Sequence, residues 1–287
     1  MGQLQIKVLG SPEVHHDGRA LKFRSRKVLA LLLYLAVEGR RVTREKISVL
    51  LWPESDEAAA RATLRRTLAD LRGALDESPA HTHLVIERDA LAFAFTPGDE
   101  LDIRAVDAAF DLLRHPIPAR DQAAERDILL QRLQQAAQAA RGAFLEDFAP
   151  GDAPEFEDWI SEQRAVLQRR ISSIYERLAH MQAEQGDVPA AIETIIGWLA
   201  HDPFEERAYQ RLMSLYFTVG NYSAALSAFE NCRRMLAEEF NAKPLPETLA
   251  LAERIRINFT NRSRNVILSD QNVILSDQNV ILSEAKN

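Results

Sequence analysis

The fold of the N-terminal part is decided by residues 41–75, which read RVTREKISVLLWPESDEAAARATLRRTLADLRGAL. A first helix is predicted to begin at Thr43, because its hydroxyl can accept a hydrogen bond from an early backbone N–H. Pro53 ends this helix, since the residue before a proline is disfavoured in the α region. The apolar residues of this helix fall on one face: Ile47, Leu50 and Leu51.

A second helix from about Asp56 to Leu75 carries a leucine stripe at helical spacing, formed by Leu64, Leu68, Leu71 and Leu75. The opposite face presents small residues and guanidinium groups, with Arg66 at its centre. Small residues allow close approach to base edges, and arginine suits guanine or phosphate. Two such helices joined by a short acidic turn are typical of a helix-turn-helix. The alternative is a surface helix with an ordinary solvated charge face.

The flanking sequence indicates a winged helix with an N-terminal sheet. β-prone runs occupy residues 4–9 and 20–23 around a turn at Asp17–Gly18, and an apolar helix is predicted over 27–37. Residues 84–87 and 90–95 flank Arg88–Asp89 and predict a β-hairpin. Residues 1–97 are therefore predicted to form a winged helix-turn-helix domain of α+β type.

This part resembles the OmpR-type DNA-binding domain, in the version found in the SARP family of bacterial transcriptional activators. The resemblance rests on Leu51-Trp52-Pro53 and on the run from Leu64 to Arg72. It implies that the second helix enters the major groove and that the hairpin near Arg88 is the wing beside the minor groove. The DNA-binding residues predicted on this basis are Arg61, Ala62, Thr63, Arg65, Arg66, Arg72 and Arg88.

Charge is divided unevenly along the chain. Residues 1–95 have a formal charge of +3 and the remainder has −10, which gives the whole chain its net −7. A basic balance confined to the predicted reading domain is expected when one domain binds DNA and another does not. The small excess predicts moderate, salt-sensitive affinity.

Composition indicates a cytoplasmic protein that contains no membrane span. The single cysteine, Cys232, excludes an internal disulfide and a cysteine zinc site, which fits a reducing compartment. The longest apolar run, residues 28–37, is far shorter than the ~20 residues that a membrane helix needs. No secretory signal is visible at the N-terminus.

A repeat with an offset of 34 residues marks the second domain. Gly186-Asp187 recurs as Gly220-Asn221, and the same offset pairs further residues: Tyr175 with Tyr209, Leu178 with Leu212, Ala191 with Ala225, Ile195 with Phe229 and Trp198 with Cys232. This period is the tetratricopeptide (TPR) signature of paired helices. Residues 98–260 are therefore predicted to form an all-α, TPR-like domain, with earlier helices over 103–113 and 126–141 and a last helix ending near Ile257.

The second domain is also similar to the bacterial transcriptional activator domain that follows the winged helix in SARP proteins. Three motifs carry this resemblance: RGAFLEDF at 141–148, EDWISEQR at 157–164 and EEFNAKPLPET at 238–248. The whole resemblance spans about residues 4–258. Phe240-Asn241 stands where the family more usually has Leu-Gly.

Residues 261–287 form a repetitive tail in which NVILSDQ occurs at 265–271 and again at 272–278. Near-identical heptads are easily produced by duplication, and contiguous Val-Ile-Leu blocks do not match coiled-coil spacing. The tail is therefore predicted to be a disordered or dispensable extension.

Enzymatic activity, a cofactor and a metal site are not predicted. The chain has no P-loop, dinucleotide fingerprint or HExxH motif. The histidine pairs at 15–16 and at 81 and 83 lie in predicted loops without acidic or thiol partners.

The sequence predicts a regulator of transcription that binds double-stranded DNA. The family resemblance implies an activator that binds direct repeats, contacts RNA polymerase and forms a homodimer through the helical domain. Two alternatives remain: a TPR-type adaptor whose winged helix binds protein, and a regulator that responds to an effector held in the helical domain.

Overall fold

The computed structural model describes residues 3–75, 82–114 and 122–262, which are mainly helical. The chain divides into two compact units that meet between Leu178 and Ala179, inside a long helix. The predicted domain boundaries at 97/98 and 260/261 differ from this division. They stay a prediction, namely that residues 1–97 and 98–260 can each fold as a separate fragment. The NVILSDQ repeats and His81 lie outside the described residues.

Among the described residues, seven strands form two sheets: β1 (Leu4–Lys7), β2 (Glu13–His16), β3 (Arg19–Ala20), β4 (Val42–Thr43), β5 (Leu84–Ile86), β6 (Ala90–Phe93) and β7 (Glu100–Leu101). The first sheet has the order β3-β2-β1-β7, with β1 and β7 parallel and the other pairs antiparallel. The second sheet has the order β4-β6-β5 and is antiparallel.

The strand predictions need correction in the first sheet. The strand expected over residues 20–23 is limited to Arg19–Ala20, because only these residues pair with β2 beyond the turn at Asp17–Gly18. Strand β2 contains the His15–His16 pair, which the sequence places in a loop. The predicted hairpin at 84–95 is present as β5 and β6.

The first unit contains helices α1 (Arg26–Glu38), α2 (Arg44–Leu51), α3 (Glu57–Ala74), α4 (Ile103–Arg114), α5 (Gln122–Ala139) and most of α6 (Pro154–Glu184). The second contains the end of α6, then α7 (Val188–His201), α8 (Glu206–Thr218), α9 (Tyr222–Phe240) and α10 (residues 246–262). Helix α5 begins and ends earlier than the predicted range of 126–141, and α10 continues past Ile257.

The ends of the first three helices follow from side-chain capping. Ser25, Thr43 and Asp56 are the N-caps of α1, α2 and α3, and each side chain accepts a backbone N–H three residues later. The predicted start at Thr43 is confirmed. Helix α2 stops at Leu51, just before Trp52-Pro53.

Helix α1 lies in the core of the first unit. Its residues from Ala30 to Ala36 are all buried, since helices α2 and α3 and strand β6 pack around it. On another side, the ring of Tyr34 contacts Trp159 of α6 edge to face, with centroids 4.9 Å apart. Phe144 and Phe156 also pack against Trp159, which completes an aromatic cluster.

The 34-residue repeat is visible in the geometry. Gly186 and Gly220 both have positive φ, 83° and 74°, and the following Asp187 and Asn221 each cap a helix by accepting a backbone N–H at 3.1 Å. The five other residue pairs matched by the offset, from Tyr175 and Tyr209 to Trp198 and Cys232, are buried. The repeat therefore reflects two equivalent turns, each of which connects one helix to the next.

Asn241 resolves the departure from the family pattern at the end of α9. It adopts the left-handed conformation, with φ of 49°, and its N–H donates to the Leu236 carbonyl. Asparagine tolerates this conformation better than most residues, so it ends the helix as glycine does elsewhere.

Of the helices described, none is long and apolar enough to cross a membrane.

Candidate nucleic-acid interface

Helix α3 presents one polar face to solvent. Leu64, Leu68 and Leu71 are buried on the opposite side, and this burial fixes the rotation of the helix about its axis. The predicted residues Arg61, Ala62, Arg65, Arg66 and Arg72 are exposed, and Thr63 is half-buried.

A groove of about 750 Å³ lies between α3, the start of α2 and the turn of the β5–β6 hairpin. Three of the predicted residues line it together: Arg61, Arg65 and Arg88. Its remaining lining residues are Thr43, Arg44, Glu45, Leu64 and Asp89. Ala62, Thr63, Arg66 and Arg72 do not line the groove, although they lie on the same helix.

The arginines of this surface differ in how strongly they are bound within the protein. Arg61 forms an ion pair with Glu57, one helical turn earlier. Within the described ranges, Arg65, Arg66 and Arg88 form no ion pair with a carboxylate. Exposed guanidinium groups without a carboxylate partner are available to a polyanion, at little desolvation or exchange cost.

The three-stranded sheet holds the hairpin turn beside α2. Strand β4 pairs with β6 through Val42↔Leu91 and Thr43↔Ala90, and β6 pairs with β5 through Leu84↔Phe93. Since Thr43 is also the N-cap of α2, the strand and the helix follow each other without an intervening loop. Strand β4 was not predicted from the sequence, because a strand of two residues is too short to show an alternating pattern.

Arg44 also lines the groove, although it was not among the residues predicted from the sequence. Its Nε and Nη2 both donate to the Glu87 carbonyl, at 3.2 and 3.0 Å, and its backbone N–H donates to the Asp89 carbonyl at 2.9 Å. Arg41 adds an ion pair with the Glu87 carboxylate at 2.8 Å. The sequence shows only a basic residue just after the helix N-cap, and this position does not indicate that Glu87 is its hydrogen-bond partner.

The other described parts of the chain show no competing chemistry. No cluster of three or more His, Cys, Asp or Glu side chains that could hold a metal ion occurs among the residues described. The single thiol, Cys232, is fully buried. The groove beside α3 gathers three of the predicted residues and is the candidate nucleic-acid interface.

Comparison with known proteins places the chain among regulators. Residues 102–256 match the bacterial transcriptional activator domain. Regulatory protein AfsR of Streptomyces coelicolor is 28% identical over 255 residues, which cover 88% of this chain and 24% of AfsR. Transcriptional regulatory protein MoaR1 of Mycobacterium tuberculosis is 26% identical over 259 residues, covering 88% of this chain and 79% of MoaR1. The chain thus spans about a quarter of the length of AfsR.

A solved structure has a similar fold. Mycobacterium tuberculosis EmbR, solved in complex with a low-affinity phosphopeptide, matches 90% of this chain with a TM-score of 0.65 and 21% identity, over 66% of the EmbR chain. The family match covers more than half of the chain, and the relatives are named as transcriptional regulators. The chain belongs to the bacterial transcriptional activator domain family and resembles regulators of the SARP type.

Proposed function

We propose that this chain is a sequence-specific DNA-binding transcription regulator whose N-terminal part is a winged helix-turn-helix. In this proposal α3 enters the major groove and the turn around Arg88 lies beside the minor groove. The observation that carries it is the shared groove, where Arg61 and Arg65 of α3 face Arg88 of the hairpin.

The dimensions of α3 fit this role. Its 18 residues give a length of about 27 Å, and an α-helix fits the major groove of B-DNA. The side chains of Ala62 and Thr63, between the arginines, are small, so the helix backbone can approach the base edges. Arg66, exposed and free of a carboxylate partner within the described ranges, is the residue best suited to a bidentate contact with guanine.

Charge supports the same division of labour. The +3 balance of residues 1–95 favours a phosphate backbone, whereas the −10 of the remainder opposes contact of the helical part with DNA. Neutralising a few phosphates releases few counterions, so affinity is expected to be moderate and to fall with salt.

We further propose that the helical part serves protein contacts. The relatives are named as regulators, and the SARP resemblance supports an activator that binds direct repeats as a homodimer and contacts RNA polymerase. Helical repeats form extended surfaces that commonly bind proteins. This division leaves DNA recognition to the first 97 residues.

In vitro selection tests the proposal. The purified chain is incubated with a pool of random duplexes, and bound duplexes are recovered over several rounds at moderate salt. We expect a common sequence to be enriched and to bind more tightly than its scrambled version. A TPR-type adaptor would enrich no sequence and show no salt-dependent duplex shift. A ligand-responsive regulator would enrich a sequence only when its effector is added.

A further inference from the structure

Arg44 connects the start of α2 to the tip of the hairpin by hydrogen bonds to two carbonyls. The guanidinium donates twice to the Glu87 carbonyl, and the backbone N–H donates to the Asp89 carbonyl. Between these two acceptors lies Arg88, whose side chain is exposed and lines the groove. Arg44 therefore binds the residues on both sides of the one basic side chain at the tip.

The chemistry of this contact is specific to arginine. Two N–H groups of a planar guanidinium converge on one carbonyl oxygen, and the charge strengthens both hydrogen bonds. A lysine at the same position supplies a point charge on a flexible stem and lacks the planar fork. The contact is also partly shielded from water, since Arg44 is half-buried.

The hairpin tip has few other contacts that fix its position. Strand β5 ends at Ile86 and β6 begins at Ala90, so the ladder does not include Glu87, Arg88 or Asp89, apart from a Glu87 N–H to Ala90 carbonyl bond of 3.0 Å. The ion pair from Arg41 uses the Glu87 side chain, and Arg41 is 72% exposed. An exposed ion pair of this kind contributes little.

We propose that Arg44 is a positioning residue for DNA binding, which holds the Arg88 tip at the distance from α3 at which both engage one duplex. In this proposal Arg44 acts through the hairpin, because its Nε and Nη2 donate to the Glu87 carbonyl rather than to a ligand in the groove. This inference rests on the proposed function and names a determinant of affinity outside the helix that reads the bases.

Four variants of the full chain test the proposal: Arg44→Ala, Arg44→Lys, Arg88→Ala and the double variant Arg44→Ala/Arg88→Ala. The matched control is Arg40→Ala, which removes one exposed charge from the same stretch; Arg40 pairs with Glu38 of α1 and forms no hydrogen bond or ion pair with the described hairpin residues. Each protein is titrated with the selected duplex and with its scrambled version at several salt concentrations, and its melting temperature is recorded.

We expect Arg44→Ala and Arg44→Lys each to weaken binding to the selected duplex by about fivefold to tenfold, close to the effect of Arg88→Ala. In the Arg88→Ala background, Arg44→Ala should have no further effect, because the side chain that it positions is already absent. Arg88→Ala should lower the salt slope by about one if it contacts a phosphate. Arg40→Ala should bind as the unmodified chain does.

Amide hydrogen exchange supplies a readout that does not depend on DNA. The N–H of residue 44 donates to Asp89, so its exchange should accelerate in Arg44→Lys while that of the α1 core amides stays unchanged. Unchanged exchange at residue 44 would contradict the claim that the side chain fixes the tip.

Other results would overturn the inference. Additive effects of Arg44→Ala and Arg88→Ala would show that Arg44 acts on DNA directly, and full binding by Arg44→Lys would show that charge alone matters. A lower melting temperature with unchanged affinity would reduce Arg44 to a structural role. If the unmodified chain does not prefer the selected duplex, the proposed function itself fails, and the inference fails with it.

Discussion

Trp159 of helix α6 donates its indole N–H to a carboxylate oxygen of Glu38, the last residue of helix α1, at 3.2 Å. The ring of Trp159 also packs edge to face on Tyr34, so the contact combines a charge-assisted hydrogen bond with aromatic packing. Trp159 lies within residues 102–256, the range of the activator-domain match. Helix α1, which packs against α3, is therefore held directly by a residue of the matched range.

Replacing Trp159 with Phe should remove the hydrogen bond while keeping most of the ring packing. We expect a loss of about 0.5–1.5 kcal/mol in the free energy of unfolding, measured by chemical denaturation. Trp52→Phe is the matched control, because the Trp52 indole N–H donates to no acceptor within the described part of the chain. Equal losses in the two variants would show that the hydrogen bond to Glu38 contributes nothing of its own.

Fragments of the chain should differ in stability according to where they are cut. A fragment of residues 1–97 lacks Asp102, whose largely buried carboxylate accepts the backbone N–H groups of Val8 and Leu9 at 2.9 and 3.0 Å. We expect it to melt at a lower temperature than a fragment of residues 1–178 and to bind the selected duplex weakly, with steep salt dependence.

The complementary fragment, residues 98–260, should be helical by circular dichroism and should not bind the duplex. Duplex binding by this fragment alone would contradict the division of labour between reader and helical part. A 1–97 fragment as stable as 1–178 would show that Asp102 and Trp159 are not needed to hold the N-terminal sheet and α1.

Local patterns predicted much of this fold. The capping residues Thr43 and Asp56 and the leucine stripe of α3 act within one helix, so the sequence shows them directly. The apolar residues paired by the 34-residue offset are likewise buried in both repeats. Strand β7 could not be predicted, because its two residues pair with β1, which lies about 95 residues earlier in the chain.

The candidate site divides in the same way. The exposure of Arg66 follows from helical periodicity, so the sequence predicted its face correctly. The contact of Arg44 with Glu87 depends on how the hairpin packs against α2, 43 residues later in the chain, and nothing near Arg44 indicates that acceptor.

Asp99 should make stability depend on pH in the acid range. Burial of its carboxyl acts to raise its pKa, but hydrogen bonds from the Leu4 and Thr96 backbone N–H groups and the Thr96 hydroxyl outweigh burial, and the pKa lies below the ordinary 3.8. The folded state therefore favours the carboxylate. Its stabilising contribution is complete above the unfolded pKa and is lost as pH falls through the lower folded pKa.

Asp99→Asn should consequently lower the free energy of unfolding by about 1–3 kcal/mol at neutral pH, and by less as the solution is acidified. Urea denaturation across the acid range measures this difference. Asp158→Asn, an exposed substitution on α6, serves as the control for removal of one carboxylate. A difference from the unmodified chain that stays constant with pH would contradict the role of the Asp99 carboxylate.

Cys232 should be unreactive in the folded protein. Burial, with a smaller contribution from the nearby Glu206, raises the pKa of its thiol to about 12, and the side chain is fully buried. Only the thiolate reacts rapidly with alkylating reagents or disulfides, so labelling at neutral pH should occur only after unfolding. Rapid labelling in native buffer, with full helix content retained, would contradict the packing of α9.

The central claim is that the exposed face of α3 reads DNA, and one substitution tests it most directly. Arg66→Ala removes a guanidinium that lies off the buried leucine stripe, so folding should be retained. Arg19→Ala, an exposed change on β3, is the control for loss of one charge. The measurement is the affinity of each variant for the selected and the scrambled duplex at fixed salt. We expect Arg66→Ala to lose about 1–3 kcal/mol on the selected duplex and much less on the scrambled one, with Arg19→Ala unchanged. Binding of the selected duplex by Arg66→Ala as tightly as by the unmodified chain would show that α3 does not read DNA through this face.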